Sequence, residues 1–293
     1  MILSIGEIIA DMMGNEKERD LSFEAFCGGA PFNVAVNAKQ AGADVGFVGC
    51  VGNDVLGRFL RKRAEQANLN YLDIQIDGKK NTTLAFVERK EGERDFSFHR
   101  YDTADYQIDF DKIDFDKYDD VQILHVGSLM LSEEKGRDLA TRLFNEGKKR
   151  GIKISFDINL RLDLYDSIEE IKRVYKPYIE LADIIKFSAD ELILYTNIDD
   201  LLTGVKGLAQ ENQLFIVTLG EKGSMYYYNG EWDIISACAV KPLDTTGAGD
   251  AFFGTFLAAI EKNTWTKEKI ENAMRLGNEK GAKTTQFLGA VQL

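Results

Sequence analysis

Cysteine, histidine and proline are all scarce in this sequence. The three cysteines, Cys27, Cys50 and Cys238, lie far apart, and only two histidines, His99 and His125, accompany them. No pair has C-x-x-C spacing, so neither a structural zinc nor a disulfide framework is expected, and a reducing cytoplasm fits. Three prolines in 293 residues leave no Pro-rich linker, and no repeat or low-complexity segment divides the chain. One domain over 1–293 is expected. Basic residues are in deficit, 36 against 48 acidic ones, for a formal charge of −12. Nucleic acid and anionic membranes select clustered Lys and Arg, so neither is expected as a partner. A small anion remains possible, because a local nest of N–H groups can hold one against an unfavourable global field. No apolar run approaches the ~20 residues of a membrane span. The opening MILSIGEIIAD has no basic leader and reaches acid at Glu7, so it reads as a first buried strand rather than a signal peptide.

What is present is a rhythm. A strand over Ile2–Ile5 is followed by an alternating piece, Leu21–Phe26, and the Gly28-Gly29 turn. Pro31 suits the first turn of a helix that runs to about Gln40 and stops at Gly42. Asp44–Val51 reads as a strand, and Val55, Phe59 and Leu60 have helical spacing within 53–66. Thr82–Arg89 and Arg94–Arg100 alternate as half-exposed strands, with a hairpin turn at Glu91-Gly92 and one face carrying Leu84, Phe86, Phe96 and Phe98. A two-stranded ribbon is marginal alone. It is expected to join Leu21–Phe26 in a small sheet, a lid from about 12–27 and 72–104, and to be covered by a second subunit in a homodimer.

From Val121 strands and helices alternate. Strands are expected at Val121–Val126, Ile152–Asp157, Ile184–Phe187 and Leu214–Leu219, with a meander at Ser224–Tyr228 and Trp232–Ile235. Helices are expected from about Glu133 to Arg150, over Ile168–Leu181, after Ser188, from Ala248 to Ile260 and from about Lys267 to Lys283. This is the α/β class, a mostly parallel central sheet covered on both faces.

One stretch carries chemistry. DTTGAGDAFFG, Asp244 to Gly254, places two glycines at the start of an apolar helix. Free N–H groups there suit an anion, yet Asp250 follows directly and would repel one. The third glycine of a dinucleotide fingerprint is absent, and the GK pairs at Gly78 and Gly147 are followed by lysine instead of Ser or Thr. Phosphoryl transfer removes the conflict, since it needs both N–H donors for the phosphate and a group to take the proton of the attacking hydroxyl. The N–H groups of Ala248, Gly249 and Asp250 would serve the first need and the Asp250 carboxylate the second. The alternative is a tight loop entry in which Asp250 merely complements the helix dipole.

DTTGAGDAF resembles the C-terminal signature of the ribokinase-like (PfkB) carbohydrate kinases. GGAPFNVAVNAKQAGADVGFVGCVGNDVLG, Gly28 to Gly57, resembles their N-terminal signature, and the two stand in the family's order about 200 residues apart. GGAPFNVAV, TTLAFVE, FSFHR, LHVGSL and FDINLR are similar to the fructokinase branch. Kinases of ribose, 2-keto-3-deoxygluconate and nucleosides share much of the frame. The resemblance implies a three-layer α/β/α ribokinase-like fold with a small β-sheet lid. It also implies ATP-dependent phosphorylation of D-fructose to fructose 6-phosphate with Mg²⁺ and, in many relatives, K⁺.

Roles carry over by position. Asp11 matches a position that holds sugar hydroxyls, and Gly28, Gly29 and Asn33 match the sugar-binding turn. Phe98 and Arg100 match lid positions over the sugar. Asp157 and Asn159 match polar positions of the same site, and Arg161 a site near the transferred phosphate. Lys186 and Ser188 are expected near phosphate, with Ser188 standing where the family usually has Asn. Glu191 is expected to reach Mg²⁺ through water. Thr218, Gly220 and Gly223 match the nucleotide-binding edge, and Asn278 a position beside the adenine. Asp244, Thr246 and Thr285 resemble the surroundings of a monovalent-cation site.

Local explanations compete. Ser188 and Glu191 form an S-x-x-E capping box, as do Ser167 and Glu170. Asp11 would also cap a loop, Asn33 would also bond its own helix start, and His125 reads as a core histidine. A sugar sensor on the same fold would bind without turnover. A nicotinamide-dependent dehydrogenase would need a first-strand glycine fingerprint, where SIGEIIAD offers only Gly6.

Overall fold

Alternation along short buried strands sorts the side chains of this protein into two layers. A computed structural model describes residues 1–17, 20–90, 93–118, 120–260 and 265–292. The elements run β1 (Ile2–Ile5), β2 (Ile9–Lys17), β3 (Asp20–Gly28), α1 (Ala30–Gln40), β4 (Val45–Gly52), α2 (Val55–Gln66), β5 (Tyr71–Asp77), β6 (Leu84–Lys90) and β7 (Glu93–His99). They continue with β8 (Ile123–Val126), α3 (Glu134–Arg150), β9 (Lys153–Asp157), α4 (Ile168–Leu181), β10 (Ile184–Ser188), α5 (Ala189–Thr196), α6 (Leu201–Leu208), β11 (Leu214–Thr218), β12 (Ser224–Tyr228), β13 (Glu231–Ile235), α7 (Ala248–Ala259) and α8 (Lys267–Thr284).

Among the described residues the main sheet has the order β13-β12-β11-β10-β9-β8-β1-β4-β5. It is parallel except where β12 and β13 turn back as a meander. Leu3, Ile5, Ile154, Phe156, Ile185 and Phe187 pack with α3, α4 and α5 on one face. Ile2, Ile184, Leu214 and Ile216 pack with α1, α7 and α8 on the other. Period-two alternation on the strands thus meets helical stripes on both sides, the expected three-layer arrangement. Each such aliphatic or aromatic side chain contributes about 1.5–3 kcal/mol on full burial.

The second sheet has the order β3-β2-β6-β7. Three expectations change here. Residues 72–77, assigned to the lid from sequence, form most of β5 and pair with β4 at the edge of the main sheet. The strand β2, central to the small sheet, was not foreseen, because its polar second half hides the pattern and its partner β6 is distant in sequence. The apolar residues of the ribbon also do not share one face. Phe98 stands opposite Ala85, whereas Leu84 and Phe86 stand opposite His99 and Ser97. His99 therefore points away from Phe98 and packs on the Phe86 ring at 4.9 Å. The turn expected at Glu91-Gly92 and the side chain of Phe96 lie outside the described residues. Helix α6 was also missed, since LLTGVKGL carries two glycines and little helix propensity.

Candidate active site

The carboxyl ends of β1, β9, β10 and β11 open on a cleft of about 870 Å³. β1 lies between β8 and β4, so the sheet is built outward in both directions from it, and such switch points hold ligands in open α/β sheets. The small sheet stands over one end. Its register sets Phe26, Asp11, Ala85 and Phe98 in one row across β3, β2, β6 and β7. That row brings Asp11 and Phe98 to the cleft. Gly28 makes room for the carboxylate, because a Cβ there would sit 2.0 Å from the Asp11 Oδ2. Gly28 shapes the site in this way but does not line it, a correction to its expected place in the sugar-binding turn. Gly29 does line it, with φ at 108°.

Helices α1 and α7 meet at the same point. Asn33, in the first turn of α1, donates from Nδ2 to the Asp250 Oδ2 at 2.8 Å. The Asn33 Oδ1 is buried and has no protein partner. Burial raises the Asp250 carboxyl to about 6, with Asp157 adding to the rise, while the Asn33 hydrogen bond, Lys186 and Arg161 oppose it. Gly247 starts α7 in the left-handed region, φ 71°, where a Cβ would press on Ala290 at 2.5 Å. The N–H of Ala248 donates to the Thr245 carbonyl oxygen at 3.3 Å, and Ala248 is not among the lining residues. The expected three-donor cradle is therefore reduced to Gly249 and Asp250, whose N–H groups lie in the first helical turn and lack an intrahelical acceptor.

Lys186 approaches this turn from β10. Its buried ammonium bonds both Asp157 oxygens, at 2.8 and 2.7 Å. Burial opposes the charge, but the Asp157 carboxylate prevails and the ammonium titrates above its ordinary value. Its Nζ lies 3.5 Å from where a Gly249 Cβ would be. Asp157 is not among the lining residues; it acts on the cleft by holding Lys186. Asn159, at φ 37°, and the half-buried Arg161 line the wall beside them.

Ser188 and Glu191 form the anticipated capping box. The Glu191 Oε2 accepts from the Ser188 N–H at 2.7 Å and its Oε1 from the Leu160 N–H at 2.9 Å. Both residues line the cleft, and Glu191 ties the β9 loop to α5. Thr218 and Gly220 line the far end, beside Leu219 and Lys222.

Several expected residues belong elsewhere. Arg100 is buried, with Nε on Asp105 at 2.8 Å and Nη1 on the Ser132 hydroxyl, and it does not line the cleft. It anchors the end of β7, and its Nη2 is buried without a partner. Of the two expected glycines, Gly220 lines the cleft and Gly223 does not. A Cβ at Gly223 would lie 2.1 Å from the Ile235 carbonyl oxygen, so its glycine serves the β12–β13 hairpin. Asn278 likewise does not line the cleft. It donates to the Ile235 carbonyl oxygen at 2.8 Å and accepts from the Ser224 hydroxyl at 2.9 Å, stitching α8 to that hairpin.

Asp244, Thr246 and Thr285 do come together. The Thr285 carbonyl accepts from the N–H groups of Leu243 and Asp244, and the Asp244 carboxylate accepts from Thr246 at 2.7 Å and Gly289 at 2.9 Å. His125 is a core residue, as expected: its Nδ1 lies 3.1 Å from the Ser155 hydroxyl, and burial pushes it down to about 3.

Sequence reasoning missed Glu7. It is only 3% exposed, yet it lines the cleft. The available signal was an acid two residues past a buried strand.

Known proteins share the sequence pattern and the fold of this chain. The sequence pattern described as pfkB family carbohydrate kinase matches residues 1–292. "Probable fructokinase-4" of Arabidopsis thaliana is 34% identical over 301 residues, covering 99% of this chain and 92% of that protein. The solved fructokinase of Xylella fastidiosa with bound ATP superposes with a TM-score of 0.90 at 28% identity, covering 99% of this chain and 93% of the other. The fructokinase of Vibrio cholerae in its fructose, ADP and calcium form superposes with 0.86 at 30% identity, covering 99% and 94%.

Proposed function

The chain belongs to the pfkB family of carbohydrate kinases, phosphotransferases acting on a sugar hydroxyl, and we propose that its acceptor is D-fructose and its product fructose 6-phosphate. The observation that carries the mechanism is the Asn33–Asp250 contact, which aims a carboxylate of raised pKa at the cleft beside the start of α7. The fructokinases it resembles support the choice of sugar.

Asp11 and the unpartnered Asn33 Oδ1 suit sugar hydroxyls, and Phe98 closes over them and excludes water. Asp250 accepts the proton of the attacking primary hydroxyl. The N–H groups of Gly249 and Asp250, with Lys186 and Arg161, hold the phosphate oxygens as charge develops. ATP supplies the phosphoryl group when bound, with Thr218 and Gly220 at its end of the cleft. Among the described residues no three His, Cys, Asp or Glu side chains gather into a metal site. Mg²⁺ keeps most of its waters and takes few protein ligands, and Glu191 would reach it through water. A K⁺ ion is assigned to the Asp244–Thr246–Thr285 cluster, where the Thr246 hydroxyl is buried without a partner.

The outer face of the small sheet, with Leu21 61% and Phe23 42% exposed, is assigned to a homodimer. Sedimentation should show a dimer that Phe23→Glu disrupts; a monomer at all working concentrations removes the assignment. No helix among the described residues is long and apolar enough to cross a membrane.

A panel of fructose, ribose, 2-keto-3-deoxygluconate and nucleosides with ATP tests the substrate. Fructose should turn over best, with phosphate on O6. Turnover of another acceptor in preference to fructose overturns the assignment.

A further inference from the structure

The buried carboxyl of Glu7 has no part in the chemistry above, and its surroundings are unusual. Glu7 lies two residues past the end of β1, and its carbonyl oxygen presses on the Gly29 turn, 2.4 Å from where a Cβ would be. Its Oε2 points toward Gly127, 2.7 Å from where that residue's Cβ would be. Gly29 thus makes room for the Glu7 main chain and Gly127 for its carboxyl, and the residue lies in the wall of the cleft alongside Ile9, Asp11 and Asn33. The Oε2 is buried and has no hydrogen-bond partner in the protein.

We propose that Glu7 binds the acceptor, donating a hydrogen bond from its carboxyl to an uncharged hydroxyl or ring oxygen of the sugar, and is thereby a specificity-determining residue. This rests on the sugar-kinase reading of the cleft.

The charges around Glu7 support a donor role. Arg100 faces it from the end of β7, Asp105 from the segment that follows, and Arg161 from beyond β9. Arg100 bonds Asp105 through Nε and Ser132 through Nη1, and its Nη2 is buried without a partner, so its charge is shared between Asp105 and Glu7. Burial is the largest influence and Asp105 adds to it, against Glu7's own main-chain hydrogen bond and the two arginines. The result is a carboxyl raised to about 8, protonated at neutral pH. A neutral buried acid is a hydrogen-bond donor, and leaving it unsatisfied costs about 1–3 kcal/mol. A polyol oxygen supplies the missing acceptor. An acceptor carboxylate would stand against Asp11 and, at high pH, against Glu7 itself.

The test is sugar affinity against pH from 6.5 to 9.5, by calorimetry without nucleotide and by KM in turnover. It uses whichever acceptor the panel identifies, so an error over fructose leaves the result readable. Wild-type affinity should weaken by roughly tenfold between pH 7 and pH 9 as Glu7 ionises. Glu7→Gln, nearly isosteric and always able to donate, should show a flat profile and bind sugar more tightly than wild type at pH 9. A flat wild-type profile, or a Gln variant that follows the wild-type slope, overturns the proposal, and the wild-type arm needs no variant to fold.

Discussion

The two ends of the cleft are built differently. At the end assigned to the acceptor, charged and amide side chains from separate elements converge with little exposure, Asn33 at 4%, Lys186 at 5% and Asp11 at 9%, beside the half-buried Asp250. At the nucleotide end, Thr218 and Leu219 are half-buried and Gly220 is exposed, so main chain and solvent predominate. A preorganised, low-dielectric end makes each polar contact count heavily, while a wet end lets water replace what is lost. Chemistry and sugar selection should therefore be concentrated at one end, and substitutions should reveal a steep gradient between them.

The largest effect is expected at Asp250. Asp250→Asn should cut kcat by at least ~100-fold, the lower range for a positioned base. The KM for ATP should stay near wild type in the same steady-state assay. Normal turnover by this variant would remove the base assignment. Next comes Asp11→Asn, which should raise the sugar KM by about tenfold or more through loss of a charge-assisted hydrogen bond, with little change for ATP. Equal changes in both KM values would erase the contrast between the ends.

The pH dependence of kcat follows from the sign of the Asp250 shift. A carboxyl raised to about 6 is protonated below that pH and cannot accept a proton. The rate should fall by about tenfold per pH unit below 6 and be level just above it. A rate unchanged down to pH 4.5 would contradict a base with a raised pKa.

The smallest catalytic effect is expected at Asn278. Asn278→Ala removes bonds to Ser224 and the Ile235 carbonyl, so it should cost about 1–3 kcal/mol of stability, read as a lower Tm. Its KM for ATP should change little. A large rise in that KM with an unchanged Tm would return Asn278 to the adenine site.

Much of this was legible along the chain. The strand–helix rhythm, the Pro31 helix start, the Ser188–Glu191 capping box and the Gly247–Asp250 turn all rest on residues a few positions apart. Their bonds are set by local geometry that any fold must respect. Arg100, Gly223 and Asn278 show the limit. Each has the residue type a ligand site uses, but whether such a group faces a cleft or a neighbouring strand depends on packing from elsewhere. Strand β2 pairs locally with β3, and its polar second half hid it, while its place at the centre of the small sheet comes from the distant β6.

The sequence by itself determined the chemistry available at the start of α7: glycine where φ is positive, first-turn N–H groups, and a carboxylate next in line. Only the tertiary structure decided what that carboxylate does. Asn33, 217 residues away, holds it, and Lys186 and Arg161 surround it at the mouth of the sheet. Glu7 acquired its altered acidity the same way. Burial and facing charges set a pKa, and both are made by parts of the chain that only folding brings together.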